Sequence, residues 1–138
     1  MSNEFVIDEF IYSRTAETNN INNSPKDIHI ENMNILFNNV LKPIIDEWGR
    51  IRITSGYRNS ELNSLVGGVH NSQHMMGEAA DFYLPGKDKL KVASWINNNL
   101  KYDQLIVEGT YIHISYSKKN RNIFLIADKN GVLTQQPK

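Results

Sequence analysis

Cysteine is missing altogether from these 138 residues. With it go disulfide scaffolds, cysteine-ligated zinc and thiol nucleophiles, so any bound metal must be held by His, Asp or Glu. An excess charge is missing too: 15 Lys and Arg face 15 Asp and Glu, giving a net charge of zero and a pI near 6.9. Nucleic-acid binders and polybasic membrane-surface proteins carry a basic surplus, so neither nucleic acid nor membrane is an expected partner. No stretch stays apolar for the roughly eighteen residues a membrane helix needs. The start, Met1 to Glu9, has acidic residues and no apolar run, unlike a secretory signal. No segment recurs, and no Pro/Gly/Ser-rich linker divides the chain. What remains, 40% hydrophobic and 22% charged residues in 15.9 kDa, is the balance and size of one soluble globular domain over residues 1–138. A monomer is expected.

From Asp27 to Trp48 the positions Met33, Leu36, Phe37, Val40, Leu41, Ile44, Ile45 and Trp48 fall at helical spacing. Gly49 is a natural stop, and Pro43 inside the pattern predicts a kink or break. The polar interval Asn19–Lys26 reads as a loop between helical pieces. Ile51–Thr54 alternates and is rich in β-branched residues, so it reads as a strand, followed by Ser55-Gly56-Tyr57-Arg58 and a short helix capped by Asn59. Ala79–Leu84 predicts a second strand ended by Pro85-Gly86, and Leu90, Ala93, Ile96 and Leu100 line one face of another helix. Two hairpins follow. Gly109-Thr110 joins Asp103–Glu108 to Tyr111–Tyr116, and Lys129-Asn130-Gly131 joins Asn122–Ala127 to Val132–Thr134. Early helices and late hairpins predict an α+β fold with a small, mainly antiparallel sheet packed by helices.

Four histidines are present, at 29, 70, 74 and 113. His74 lies in a polar turn-like segment, and Asp81 follows between Ala80 and Phe82 at the start of a strand that looks buried. An Asp there is costly to bury unless paired or metal-bound. Two readings stand side by side: a metal ligand, or a carboxylate accepting backbone hydrogen bonds at a strand entrance. His113 is central in Tyr111-Ile112-His113-Ile114-Ser115, whose alternation puts Tyr111, His113 and Ser115 on one face. With Gly109-Thr110 as a two-residue loop, Glu108 pairs with Tyr111 and becomes the diagonal neighbour of His113, about 7–8 Å away. Any other register sends Glu108 to the opposite face.

Two histidines and a carboxylate with an open fourth position describe a catalytic zinc site. Zinc acidifies its bound water and polarises a carbonyl, and a nearby carboxylate can move the proton to the leaving amine. His70 and His74, four apart, offer a rival metal pair. Asn71 stands where zincin helices carry Glu, and Gly67-Gly68 disfavours a regular helix, so His70 reads as a rim residue. Arg58 could fork onto a carboxylate or a developing oxyanion. Lys118, Lys119 and Arg121 read as an exposed basic turn.

Ser55-Gly56-Tyr57-Arg58, Gly67-Gly68, Ser72-Gln73-His74-Met75-Met76-Gly77-Glu78-Ala79-Ala80-Asp81 and Ile112-His113-Ile114-Ser115, in this order, resemble the zinc D-Ala-D-Ala carboxypeptidase family. The resemblance runs from about Phe5 to Tyr116. It implies the Hedgehog/D,D-peptidase α+β fold and one zinc ion per chain, bound by His74, Asp81 and His113. It further implies that Arg58 contacts substrate near the scissile carbonyl or its carboxylate. Ser72 would orient the site through a hydrogen bond. Many members place the catalytic Glu three residues before the last histidine; here that position is Thr110, and Glu108 stands five before. Glu108 is the first candidate for the base and Asp103 the second. Members cut stem or cross-bridge peptides of bacterial peptidoglycan, as carboxypeptidases, endopeptidases or phage endolysins. With no signal segment, the expectation is a phage or prophage lysis enzyme, cytoplasmic until released to the wall. The alternative from another class is a non-catalytic wall-binding or phage structural module on the same fold.

Overall fold

In the computed structural model, residues 7–137 are described, with only the backbone of Ile7. Residues 1–6, including most of the stretch read as no secretory signal and the start of the resemblance at Phe5, lie outside the described residues. Two short helices come first, α1 (Ile7–Ile11) and α2 (Arg14–Thr18), the second capped by the Ser13 hydroxyl accepting from the Ala16 N–H at 3.1 Å. The long apolar pattern then folds as one continuous helical stretch. It begins as α3 (Asp27–Leu36), widens into a π-helical turn over Phe37–Leu41, and ends as α4 (Lys42–Trp48). Pro43 therefore does not break it. The Lys42 N–H reaches back five residues to the Phe37 carbonyl, and the wider turn accommodates the proline ring and its missing donor. Gly49, at φ +97°, ends the stretch as its sequence position predicts.

The remaining elements are β1 (Arg52–Ser55), α5 (Ser60–Leu65), a 3₁₀ turn over Gln73–Met76, β2 (Ala79–Tyr83), α6 (Lys89–Asn99), β3 (Gln104–Val107), β4 (Ile112–Ser115), β5 (Ile123–Ala127) and β6 (Leu133–Gln135). Asn59 caps α5 by accepting from the Leu62 N–H at 2.9 Å. The six strands form one sheet in the order β1-β2-β4-β3-β5-β6. All neighbours are antiparallel except β3 and β5, which run parallel. The fold is α+β with a mainly antiparallel sheet, as expected. The parallel pair arises because the chain leaving β4 crosses the end of β3 and enters β5 on the far side.

Strand alternation divides the sheet into two unlike faces. Ala80, Phe82, Leu105, Val107, Ile112, Ile114 and Phe124 are buried on one face and share a single apolar cluster with Leu36, Val40, Leu41 and Ile44 of the long helical stretch and with Val92 and Ile96 of α6. Each fully buried Ile or Leu there contributes about 1.5–3 kcal/mol of transfer free energy. The other face carries Asp81, His113, Tyr111 and Glu108. The helices thus hold the sheet from behind while its polar face stays open for chemistry.

Candidate metal centre

β2 and β4 place Asp81 directly opposite His113. Beside them, β1 carries an irregularity: Ile53 pairs with Phe82 and Ser55 with Asp81, so Thr54 is the extra residue. Bulges bend a strand and re-aim its side chains, and this one lets the chain turn at Gly56 beneath the site. The Gly56 carbonyl accepts from His74 Nδ1 at 2.7 Å. Gly56 has no Cβ because Phe10 fills that space: an added Cβ would overlap the Phe10 ring and sit 2.5 Å from its carbonyl oxygen. Close packing of α1 thereby fixes the atom that orients His74.

That hydrogen bond decides the tautomer. A carbonyl oxygen only accepts, so His74 Nδ1 carries the proton and its Nε2 bears the lone pair. Nε2 faces Asp81 Oδ1 at 3.3 Å, and His113 Nδ1 lies 2.8 Å from the same oxygen. One ligand atom from each of His74, Asp81 and His113 falls within 4.8 Å of the others. His74 is buried, and the side chains of Asp81 and His113 are each only 16% exposed. Two lone-pair acceptors 3.3 Å apart need a cation between them, either a proton, which makes the His74–Asp81 hydrogen bond, or a metal ion. The donor set therefore fits a metal ion, and nitrogen and oxygen ligands of this kind suit zinc. Burial pushes the Asp81 carboxyl up, but hydrogen bonds and charge from His113 and His74 outweigh it and hold Asp81 well below the usual carboxylate range. It stays an anionic ligand.

Arg58 is held by its own backbone. Its N–H donates to the His74 carbonyl at 3.1 Å, the preceding Tyr57 N–H to the Phe10 carbonyl at 2.8 Å, and the following Asn59 N–H to Asn23 Oδ1 at 2.8 Å. Arg58 Nη2 reaches the Ser72 hydroxyl at 3.5 Å, and that hydroxyl also accepts from the His74 N–H at 3.2 Å. Ser72 thus ties the arginine to the first histidine. Arg58 Nε is buried and has no partner among the described residues. Burial lowers the guanidinium pKa, while the charge of Asp81 acts to raise it, placing Arg58 electrostatically beside the triad.

The β3–β4 hairpin has the register that alternation predicts. The Glu108 N–H donates to the Tyr111 carbonyl at 2.9 Å, Val107 pairs with Ile112 and Ile106 with His113. Glu108 therefore shares the face of His113 as its diagonal neighbour and is half-buried, whereas Thr110 is exposed at the loop tip. Tyr111 lies on the same face, opposite Glu108. Its phenol is pushed up by burial and by the charges of Asp81 and Glu108, against Arg58, so it sits among the site's charged groups.

An open cleft of about 780 Å³ adjoins the triad, with His113, Ser72, Gln73 and Glu78 in its lining. Gln73 and Glu78 lay inside the matched sequence string with no role given. In the structure Gln73 Nε2 donates to Asp103 at 3.0 Å, and the Gln73 side chain also hydrogen-bonds Glu78. Burial and the nearby Asp103 charge push the Glu78 carboxyl up. Asp103, the second candidate base, is otherwise engaged: it accepts from Arg121 Nε, Nη2 and backbone N–H, each at 2.9 Å. Those bonds outweigh its burial and hold its pKa at about 2, leaving a weak proton acceptor. Arg121 is exposed in its turn, as the sequence reading has it, and its guanidinium also pairs with this buried acid. His29 and His70 stand apart from the triad. His29 Nδ1 accepts from the Lys26 N–H at 3.1 Å and its ring stacks on Tyr57, whereas His70 is exposed in the turn after α5.

A two-histidine, one-carboxylate centre beside an open cleft, with an arginine at hand, is the layout of a metal-dependent hydrolase. The chain belongs to the Peptidase M15 family, whose model matches residues 3–115. That family is one of zinc-dependent metallopeptidases, and its α+β fold agrees with the helix-packed six-stranded sheet seen here. No curated protein matches the chain. Among the described residues, no helix is long and apolar enough to cross a membrane.

Proposed function

We propose that this protein hydrolyses peptide bonds of bacterial peptidoglycan as a zinc metallopeptidase, cutting a stem or cross-bridge peptide during lysis by a phage or prophage. The observation that carries the reading is the convergence of His74 Nε2, Asp81 Oδ1 and His113 Nδ1, with the His74 lone pair aimed inward by the Gly56 carbonyl. These three side chains would hold zinc, which when bound supplies Lewis acidity to a water and to the scissile carbonyl.

The chain's own groups do the rest. Glu108, on the His113 face, takes a proton from the attacking water and returns it to the leaving amine. Arg58 meets the scissile carbonyl oxygen or a substrate carboxylate through its guanidinium. Ser72 keeps Arg58 and His74 in register. One observation favours the second reading, a non-catalytic wall-binding or structural module: the residue three before His113 is Thr110, not Glu.

Metal analysis together with wall digestion tests both readings. The peptidase reading expects about one zinc per chain, lost in His74→Ala, and release of new amino groups from purified peptidoglycan. Glu108→Gln should keep the zinc and lose hydrolysis by on the order of a hundredfold or more. Zinc binding with no release from any wall preparation would leave the non-catalytic module. Protein without metal even after zinc addition would overturn both the centre and the peptidase.

A further inference from the structure

The cleft beside the triad has two unlike walls. One presents Ile28, Val69 and Met76, which are 52%, 68% and 46% exposed although apolar. The other is the β4–β5 connection, with Lys118 and Lys119 exposed. Arg121 in that connection is neutralised by Asp103; Glu78 in the lining, hydrogen-bonded by the uncharged Gln73, leaves one carboxylate in the cleft against the two lysines. Among the described residues no carboxylate pairs with either lysine. A chain with zero net charge therefore places two unpaired cations on one wall of the cleft that His113 also lines.

The lysines are also presented on a fixed backbone. The Ser117 N–H donates to Asn120 Oδ1 at 2.9 Å, the Arg121 N–H to Asp103 Oδ1 at 2.9 Å, and the Asn122 N–H to the Tyr102 carbonyl at 3.0 Å. A wall ordered in advance loses less entropy when it meets a ligand.

We propose that Lys118 and Lys119 form a specificity subsite for an anionic peptide, pairing with a side-chain carboxylate of the substrate while Ile28, Val69 and Met76 pack its small apolar side chains. This deepens the peptidase reading and rests on it for the word substrate; the binding preference itself does not depend on turnover. The chemical class is an acidic peptide with short aliphatic residues, and a cationic peptide is disfavoured by the same two charges.

The test is a ¹⁵N NMR titration of the full chain as purified with acetyl-Ala-D-Glu-Ala-amide and with its D-Gln counterpart, alongside their hydrolysis rates. The acidic peptide should bind at least about fivefold more tightly at low salt, as two exposed ion pairs allow, and should shift the amides of Lys118 and Lys119. Added salt should erase the preference. Lys118→Glu/Lys119→Glu should abolish or invert it, whereas the control Lys87→Glu/Lys129→Glu, away from the cleft, should leave it intact. Equal affinity for the two peptides, no measurable binding, or shifts confined to another surface would overturn the subsite. Preferential binding without hydrolysis of any wall peptide would keep the subsite and defeat the peptidase. Hydrolysis indifferent to the Glu-to-Gln change would do the reverse.

Discussion

Replacing Asp103 with asparagine tests whether the cleft's basic wall is anchored as described. The Asp103 side chain is 3% exposed and accepts four hydrogen bonds, three from Arg121 and one from Gln73. Its pKa falls from an ordinary 3.8 to about 2, chiefly through the Arg121 side chain. At about 1.4 kcal/mol per pKa unit, that depression corresponds to about 2 kcal/mol of folding stability at neutral pH. Arg121 is 53% exposed, so it returns to water when its partner is lost, and the cost stays near this figure instead of rising to that of a stranded buried charge.

The sign follows from a folded pKa below the unfolded one. The stabilisation is complete above about pH 5, roughly half gone at pH 3, and lost as pH falls through 2. Urea unfolding should therefore show Asp103→Asn about 2 kcal/mol less stable than the parent at pH 7, with the gap narrowed to about 1 kcal/mol at pH 3. A variant within about 0.5 kcal/mol of the parent at pH 7 would refute the argument, since surface substitutions commonly fall in that range. A gap unchanged between pH 7 and pH 3 would refute it equally.

Other outcomes follow from the packing around the triad. Gly56→Ala should destabilise the fold by about 1–3 kcal/mol, because the new methyl meets Phe10, and should weaken zinc binding as the carbonyl under His74 moves; thermal melts and a competition assay with a zinc chelator would show whether both occur. Gly77→Ala should cost about 1–3 kcal/mol by urea unfolding, since Gly77 has φ +78° and its added Cβ would sit 2.5 Å from the His29 carbonyl oxygen. Ile114→Ala, in the buried cluster, should cost about 2–5 kcal/mol and leave the zinc content of the folded protein unchanged. Arg58→Lys should retain the metal but reduce kcat/KM, because an ammonium cannot supply two forked donors; equal kcat/KM on wall peptides would remove Arg58 from the site.

The parts of the fold legible in the sequence were those fixed by neighbours in the chain. Gly109-Thr110 and the alternation around it specify the β3–β4 register, and with it the face shared by Glu108 and His113. Asn59 and Gly49 likewise mark helix ends by local chemistry alone. What escaped depends on distant partners. The parallel pairing of β3 with β5 is chosen by sheet assembly, not by any turn signal. The pairing of the exposed Arg121 had no local signal because its acid lies 18 positions away. Pro43 pointed to a kink, but a π turn is equally local and leaves no residue signature of its own. In the site, His74, Asp81 and His113 were legible as residue types in order, whereas the tautomer of His74 depends on the Gly56 carbonyl, 18 positions before it.

The crossing from β4 to β5 bears on how such a protein can diversify. The family match ends at residue 115, the last residue of β4, and the Lys118–Lys119 wall begins just beyond it. Both ends of that connection are fastened to Tyr102 and Asp103, and none of its residues supplies a metal ligand. A change of sequence between those anchors leaves the residues of the metal centre untouched. On the proposed subsite, exchanging residues 116–120 should therefore alter ligand preference and leave the metal centre where it was.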